Sequence, residues 1–202
     1  MVDGPLTPPV DVGLAVLVPV KAFSTAKVRL AEVLDPAARA ELAERMAATV
    51  LRAAGPMPVA VVCDDDDVRT WADRHGAEVI WTPGLGLNGA VEAGVGHMAG
   101  RGVDRVIVAH ADLPLAADLT WIGRFGGITL VPDRHLDGTN VVCTPAGAGF
   151  RFAYGAGSFT RHRAEAARLG LPVRVVPDAL LGWDVDVPGD LLPPEAAGAP
   201  CP

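Results

Sequence analysis

Short apolar runs recur along the chain, and each breaks off into polar residues or glycine. LAVLVPV (14–20) is uninterrupted by any charge and predicts a strand buried on both faces of a parallel sheet. PVAVVC (58–63), AEVIW (77–81) and the run VIVA (106–109) predict three more strands. Helical segments lie between them. In DPAARAELAERMAATVLRAAG, Asp35 is placed to cap the N-terminus, Pro36 suits the first helical position and Gly55 ends the helix. DDVRTWADRHG (66–76) predicts a short helix stopped at Gly76, and a third helix is expected from Gly89 to Met98. Strands alternating with helices at this spacing are the signature of βαβ units.

The second half is less regular. GITLVPD, NVVCTP and VRVVPD predict strands, SFTRHRAEAARLG predicts a helix capped by Ser158, and WDVDVPGDLL leads into a Pro/Ala tail. With no internal repeat and no linker, the pattern implies one α/β domain over residues 11–193, a Rossmann-like, mostly parallel sheet. A disordered arm is expected over 1–10 and a flexible tail over 194–202.

Composition narrows the function classes. A net charge of −7 argues against a nucleic-acid or anionic-membrane partner, so phosphate ligands would need the few cations gathered at one place. Cys63, Cys143 and Cys201 form no C-x-x-C pair, and the first two sit in apolar runs, which fits buried free thiols in a reducing cytoplasm. MVDGPLTPPV has no basic region ahead of an apolar stretch, so no signal peptide is expected, and the longest apolar run is too short for a membrane span.

Open α/β sheets bind ligands beyond the carboxyl ends of their strands, and that rule selects the chemistry-bearing loops. PVKAFSTAKVRL follows the first strand and concentrates Lys21, Lys27 and Arg29, a local positive site suited to phosphate or a solvated loop. DDDD (64–67) is a metal cluster or, more simply, a helix start with acids at the positive dipole end. In GLGLNGA, the Asn88 amide can read a base edge, Gly89 lets the backbone approach a nucleotide, and the competing role of Asn88 is a helix N-cap. HADLP offers Asp112 as a metal ligand or as a helix cap, with His110 a ligand or a structural histidine. AYGAGSFTRH leads glycines into a helix start, an anion site by its free N–H groups, with Arg161 and His162 in the first turn adding charge. WDVDVPGDL sets Asp184 and Asp186 on one side of an extended segment, where two carboxylates repel unless a cation lies between; a turn ahead of a helix near Pro188 is the alternative.

Taken in order, PVK…AKVRL, GLNGA, HADLPL, DGTN, FRFAYGAGSF and DVDVPGDL resemble the 2-phospho-L-lactate guanylyltransferases, whose bacterial members are also called phosphoenolpyruvate guanylyltransferases. The resemblance spans residues 14–192 and implies a GT-A-like nucleotidyltransferase fold. It implies transfer of GMP from GTP to phosphoenolpyruvate or 2-phospho-L-lactate, releasing pyrophosphate, on the route to coenzyme F-420. It implies magnesium on Asp112 and on Asp184 or Asp186, and cations Lys21, Lys27 and Arg29 around the triphosphate. Thr139, Gly155 and Ser158 would hold the phospho-acid, and Asn88 with Gly89 would lie near the guanosine. The product is reactive and would pass to a next enzyme. KAFSTAKVRL lacks the glycine-rich R-x-G-x-x-K loop of many superfamily members, which argues against a molybdopterin- or sugar-phosphate-type transferase; a non-catalytic nucleotide-binding module, the other alternative, would be expected to lack one of the two acid positions, and both are present.

Overall fold

The computed structural model describes residues 13–192, so the expected arm and tail lie outside the described residues. Four strands of the first half, β1 (Leu14–Pro19), β2 (Val59–Cys63), β3 (Glu78–Trp81) and β4 (Arg105–Ala109), alternate with α1 (Pro36–Ala53), α2 (Asp66–Arg74) and α3 (Gly86–Gly100). The second half adds β5 (Ile128–Pro132), β6 (Thr139–Pro145), α4 (Ser158–Arg168) and β7 (Val173–Val175). All seven strands form one sheet in the order β3-β2-β1-β4-β6-β5-β7, and only β6 runs against its neighbours.

The uninterrupted apolar strands have the physical basis the pattern implies. Val16 and Val18 pack into a core shared with α1 and α2, while Ala15 and Leu17 pack into one shared with α3 and α4. β2 and β4 divide in the same way, with Val61 and Ile107 on one face and Val62 and Val108 on the other. At Gly94 of α3 an added Cβ would lie 2.7 Å from both Leu17 and Val62 side-chain carbons. Glycine there lets α3 lie close against the sheet.

α1 starts as read: Asp35 accepts from the Ala38 N–H at 2.8 Å and Pro36 opens the helix. α3 corrects the expectation, beginning three residues early, so that Asn88 and Gly89 lie within its first turns and Asn88 is no cap. Gly84 and Gly86, at φ 72° and 64°, make the tight entry that reads as loop in the sequence.

The strand order reverses direction between β1 and β4, and at that point the loops leaving the two strands diverge and open a crevice. Because β6 is antiparallel, its first residues, Thr139 and Asn140, fall at the same edge. The His110 N–H donating to the Asn140 carbonyl at 3.0 Å ties the two strand ends together.

Candidate active site

Lys27 is delivered by an unusual backbone. Two short 3-10 turns, Phe23–Thr25 and Val28–Leu30, follow β1, and Lys27 between them sits in the left-handed region at φ 53° and ψ 40°. For a residue with a Cβ that conformation costs about 1 kcal/mol or more, and it persists because its surroundings hold it. Leu30, fully buried against Met46 and Val185, anchors the loop.

The Lys27 ammonium donates to Asp112 Oδ2 at 2.7 Å and to Asp186 Oδ1 at 3.1 Å. Burial works against its charge, but Asp112 and Asp186 outweigh burial and raise its pKa. Burial likewise opposes the Asp112 carboxylate, and the Lys27 charge beside it holds its pKa below the usual range. Arg29, largely exposed, reaches Asp186 Oδ2 at 3.7 Å. Lys21, Lys27, Arg29, His110, Asp112, Gly155 and Asp186 all line one cleft of about 530 Å3 at the strand ends. The structure thus brings together cations and acids from loops far apart in the chain.

No helix follows Asp112. The chain passes through turns with Leu113 buried, so the capping role has nothing to cap. His110 holds its Nδ1 4.0 Å from Asp112 Oδ1 and packs against Tyr154, the ring centres 4.6 Å apart and the planes inclined by 56°.

Asp184 and Asp186 do not share one cation. Arg134 donates to the Asp184 carbonyl at 2.8 Å and to Asp184 Oδ1 at 3.3 Å, and its other nitrogen meets Asp190 Oδ1. Asp190 Oδ2 in turn accepts from the backbone N–H groups of Asp186 and Val187, both at 2.8 Å. Arg134 also lies over the Trp183 ring at 4.3 Å. Burial, then the nearby charges of Asp112 and Asp186, raise the Asp184 pKa. The expected helix near Pro188 is a single 3-10 turn, Pro188–Leu191. Arg134 and Asp190 escaped the sequence reading. Arg134 follows the end of β5, where the strand-end rule applies once the sheet order is known.

The glycine loop before α4 is tied at both ends. The Tyr154 N–H donates to Asn88 Oδ1 at 2.8 Å, the Phe152 N–H to Glu92 at 3.0 Å, and the Gly157 N–H to Asp137 Oδ2 at 3.0 Å. Asn88 therefore braces this loop with its oxygen. Ser158 is the first residue of α4, with Gly157 in the cap position, and it is buried. Thr139 is buried as well, its hydroxyl 3.1 Å from His162 Nδ1.

Arg161 donates to the carbonyls of Ala153, Gly155 and Ala156, which fixes its guanidinium against the glycine loop with its positive charge intact. The His162 expectation is corrected. His162 is fully buried, and that burial pushes its pKa down to about 4, so it is neutral. At DDDD the helix start prevails: Asp65 accepts from the Val68 N–H at 3.0 Å and Asp66 pairs with Arg69. Cys63 and Cys143 are free and buried, and among the described residues no helix is long and apolar enough to cross a membrane.

A mostly parallel sheet with basic and acidic groups converging at its switch point defines a nucleotidyltransferase of the GT-A-like α/β class. The family described as "Guanylyl transferase CofC like" matches residues 14–194, and the chain belongs to it. A phosphoenolpyruvate guanylyltransferase from Sphaerobacter thermophilus is 39% identical over 184 residues, covering 87% of this chain and 89% of that protein. Other relatives of the same name are 28–37% identical. Among solved structures, a putative nucleotide-diphospho-sugar transferase from Desulfovibrio desulfuricans G20 superposes with a TM-score of 0.71 at 18% identity, covering 89% of this chain and 84% of that one. A nucleotidyl transferase from Methanothermobacter thermautotroptrophicus superposes with a TM-score of 0.60 at 14% identity, covering 88% of this chain and 94% of that one. At these identities the structures speak to the fold.

Proposed function

We propose that this protein transfers the guanylyl group of GTP to phosphoenolpyruvate, releasing pyrophosphate and forming enolpyruvoyl-2-diphospho-5'-guanosine for coenzyme F-420 biosynthesis. The observation that carries this reading is the convergence of Lys27, Asp112 and Asp186 in the strand-end cleft of a guanylyltransferase-family chain.

Magnesium fits the donor set. Asp112 Oδ1 is buried without a hydrogen-bond partner, and Asp112 and Asp186 already share one cation, the Lys27 ammonium. Among the described residues no three metal-ligating groups form a ready-made cage. Magnesium needs none, because it characteristically takes one or two carboxylates and completes its shell with water and substrate phosphates. Asp112 and Asp186 would hold it, with Asp184 kept by Arg134. Bound there, it would offset the repulsion between two polyanionic substrates.

The chemistry asks little of the protein as a base. A phosphate monoester has its second pKa at about 6, so the acceptor is already a nucleophile at neutral pH. One of its oxygens bonds to the α-phosphorus, the bond from that phosphorus to the β-bridging oxygen breaks, and pyrophosphate leaves with the electron pair. Lys21, Lys27 and Arg29 line the cleft, where their charge is suited to offsetting the charge that grows on the leaving pyrophosphate. Thr139, Gly155 and Ser158 are assigned to the phospho-acid. Asn88 and Gly89, beside the cleft-lining Leu87, are assigned to the guanosine side. Buried free thiols support a cytoplasmic setting, and the acidic net charge supports small-molecule rather than nucleic-acid partners, with the product handed to a following enzyme.

The test is mass spectrometry of products from GTP with phosphoenolpyruvate, 2-phospho-L-lactate and 3-phosphoglycerate in competition, with and without magnesium. The guanylylated phosphoenolpyruvate is expected to dominate. A dominant product from another acceptor or another nucleoside triphosphate would overturn the assignment.

A further inference from the structure

His162 is the one fully buried titratable side chain on α4, and the mechanism above gives it no part. Both ring nitrogens are engaged. The Ala153 N–H lies 3.0 Å from Nε2, and Thr139 Oγ lies 3.1 Å from Nδ1. A backbone N–H can only donate, so Nε2 must present its lone pair. A neutral imidazole then carries its single proton on Nδ1, and that proton points to Thr139. Burial keeps the ring neutral, with its pKa pushed down to about 4, and the Phe150, Phe152 and Tyr154 rings enclose it at 5.6, 6.2 and 4.9 Å.

The consequence falls on Thr139. A hydroxyl that receives a hydrogen bond keeps its own proton free to donate. Were the tautomer reversed, Thr139 would have to donate to His162 and would have only lone pairs left to offer a ligand, the wrong polarity for an anion. We propose that His162 is a positioning residue for the acceptor: as the Nδ1–H tautomer it donates to Thr139 and so commits the Thr139 hydroxyl proton to an anionic oxygen of the phospho-acid. The backbone N–H of Ala153, two residues before Gly155, sets that tautomer, so the glycine loop and the hydroxyl are oriented through one ring. This rests on the assignment of Thr139 to the acceptor.

The test has two parts on the full-length protein. Nitrogen-15 NMR of the histidine rings at pH 7 reads the tautomer directly in the wild type, whether or not any variant folds. A protonated Nδ1 and an unprotonated Nε2 are expected at His162; protonation at Nε2 overturns the proposal. Steady-state kinetics then compare Thr139→Val, His162→Leu, His162→Asn and the double variant Thr139→Val with His162→Leu. Losing a hydrogen bond to a charged group raises KM for phosphoenolpyruvate about tenfold or more. Thr139→Val and His162→Leu are each expected to do so, with KM for GTP unmoved. The double variant should be no worse than Thr139→Val alone, and His162→Asn, whose amide can donate, should recover part of the loss. Multiplying losses in the double variant, or a His162→Leu protein with unchanged acceptor KM, overturns it. Wild-type formation of the guanylylated product separates the two readings: its absence sinks the proposed function, whereas failure of this inference leaves it intact.

Discussion

The Lys27 ammonium donates to Asp112 Oδ2 at 2.7 Å although the two residues are 85 positions apart, and the same ammonium reaches Asp186 at 3.1 Å. One positive group thus holds the ends of three separate loops together at the sheet's switch point. The carboxylates need a cation between them, and the chain supplies its own.

Asp112→Asn keeps the side-chain shape and removes the charge. Pyrophosphate release from GTP in the presence of phosphoenolpyruvate is expected to fall by about a hundredfold or more, the scale of losing one electrostatic contributor to a transition state. Lys27 retains Asp186, so the thermal midpoint should move by no more than about 4 °C. Turnover at the wild-type rate would remove Asp112 from the chemistry.

If the ammonium occupies the position a divalent ion would take, the two compete. Lys27→Met leaves both carboxylates facing each other, with Arg29 at 3.7 Å from Asp186 and His110 at 4.0 Å from Asp112 as the basic groups still beside them. Without metal the variant should melt lower than the wild type. Added magnesium chloride should raise its midpoint more than it raises that of the wild type. Scanning fluorimetry of both proteins over a magnesium titration measures this, and an equal or smaller rise in the variant refutes the competition.

Arg134 is the strap of the DVD segment. Its guanidinium joins Asp184 and Asp190, and Asp190 holds the Asp186 and Val187 N–H groups. Arg134→Met leaves two largely buried carboxylates without their cation. Removing one partner of such a cluster costs about 3 kcal/mol, a fall of roughly 6–12 °C in a domain of this size. Activity should fall as well, because Asp190, which anchors the Asp186 backbone, is no longer held by Arg134. Urea denaturation alongside pyrophosphate release checks both, and a fall in stability below about 1 kcal/mol would mean that the strap holds little.

How much of this was legible depends on distance along the chain. α1 could be read because Asp35, Pro36 and the following apolar positions act locally. Asp112 could be placed because a strand end delivers it, whatever the rest of the fold does. Its partner could not, since nothing in HADLP or in KAFSTAKVRL encodes an approach across 85 residues. The start of α3 was missed because Gly84 and Gly86 look like loop and in fact form the turn into the helix. Arg134 was missed because β5 had no known neighbours or direction until the sheet was seen. His162 was expected to add charge at the helix start, and its neutrality was missed because its burial is made by Phe150, Phe152 and Tyr154 folding over it.

That burial gives the protein an acid-sensitive component of stability. Folded His162 stays neutral down to about pH 4, pushed there by burial first and then by the charges of His110 and Arg161, with Glu165 opposing. In the unfolded chain a histidine takes up its proton near pH 6.5. Between those values the unfolded chain binds more protons, so His162 lowers stability progressively as pH falls from about 6.5 toward 4 and contributes no slope above. The whole window amounts to about 3 kcal/mol at most. His162→Asn lacks this proton uptake and keeps a donor for Thr139. The stability of the wild type relative to His162→Asn should therefore be greatest near pH 7 and shrink by up to about 3 kcal/mol on acidification to pH 4. Urea midpoints of the two proteins taken together across that range cancel the carboxylates they share. A difference that stays constant from pH 7 to 4 would show that His162 titrates as an exposed histidine does, and the neutral Nδ1–H donor to Thr139 would fall with it.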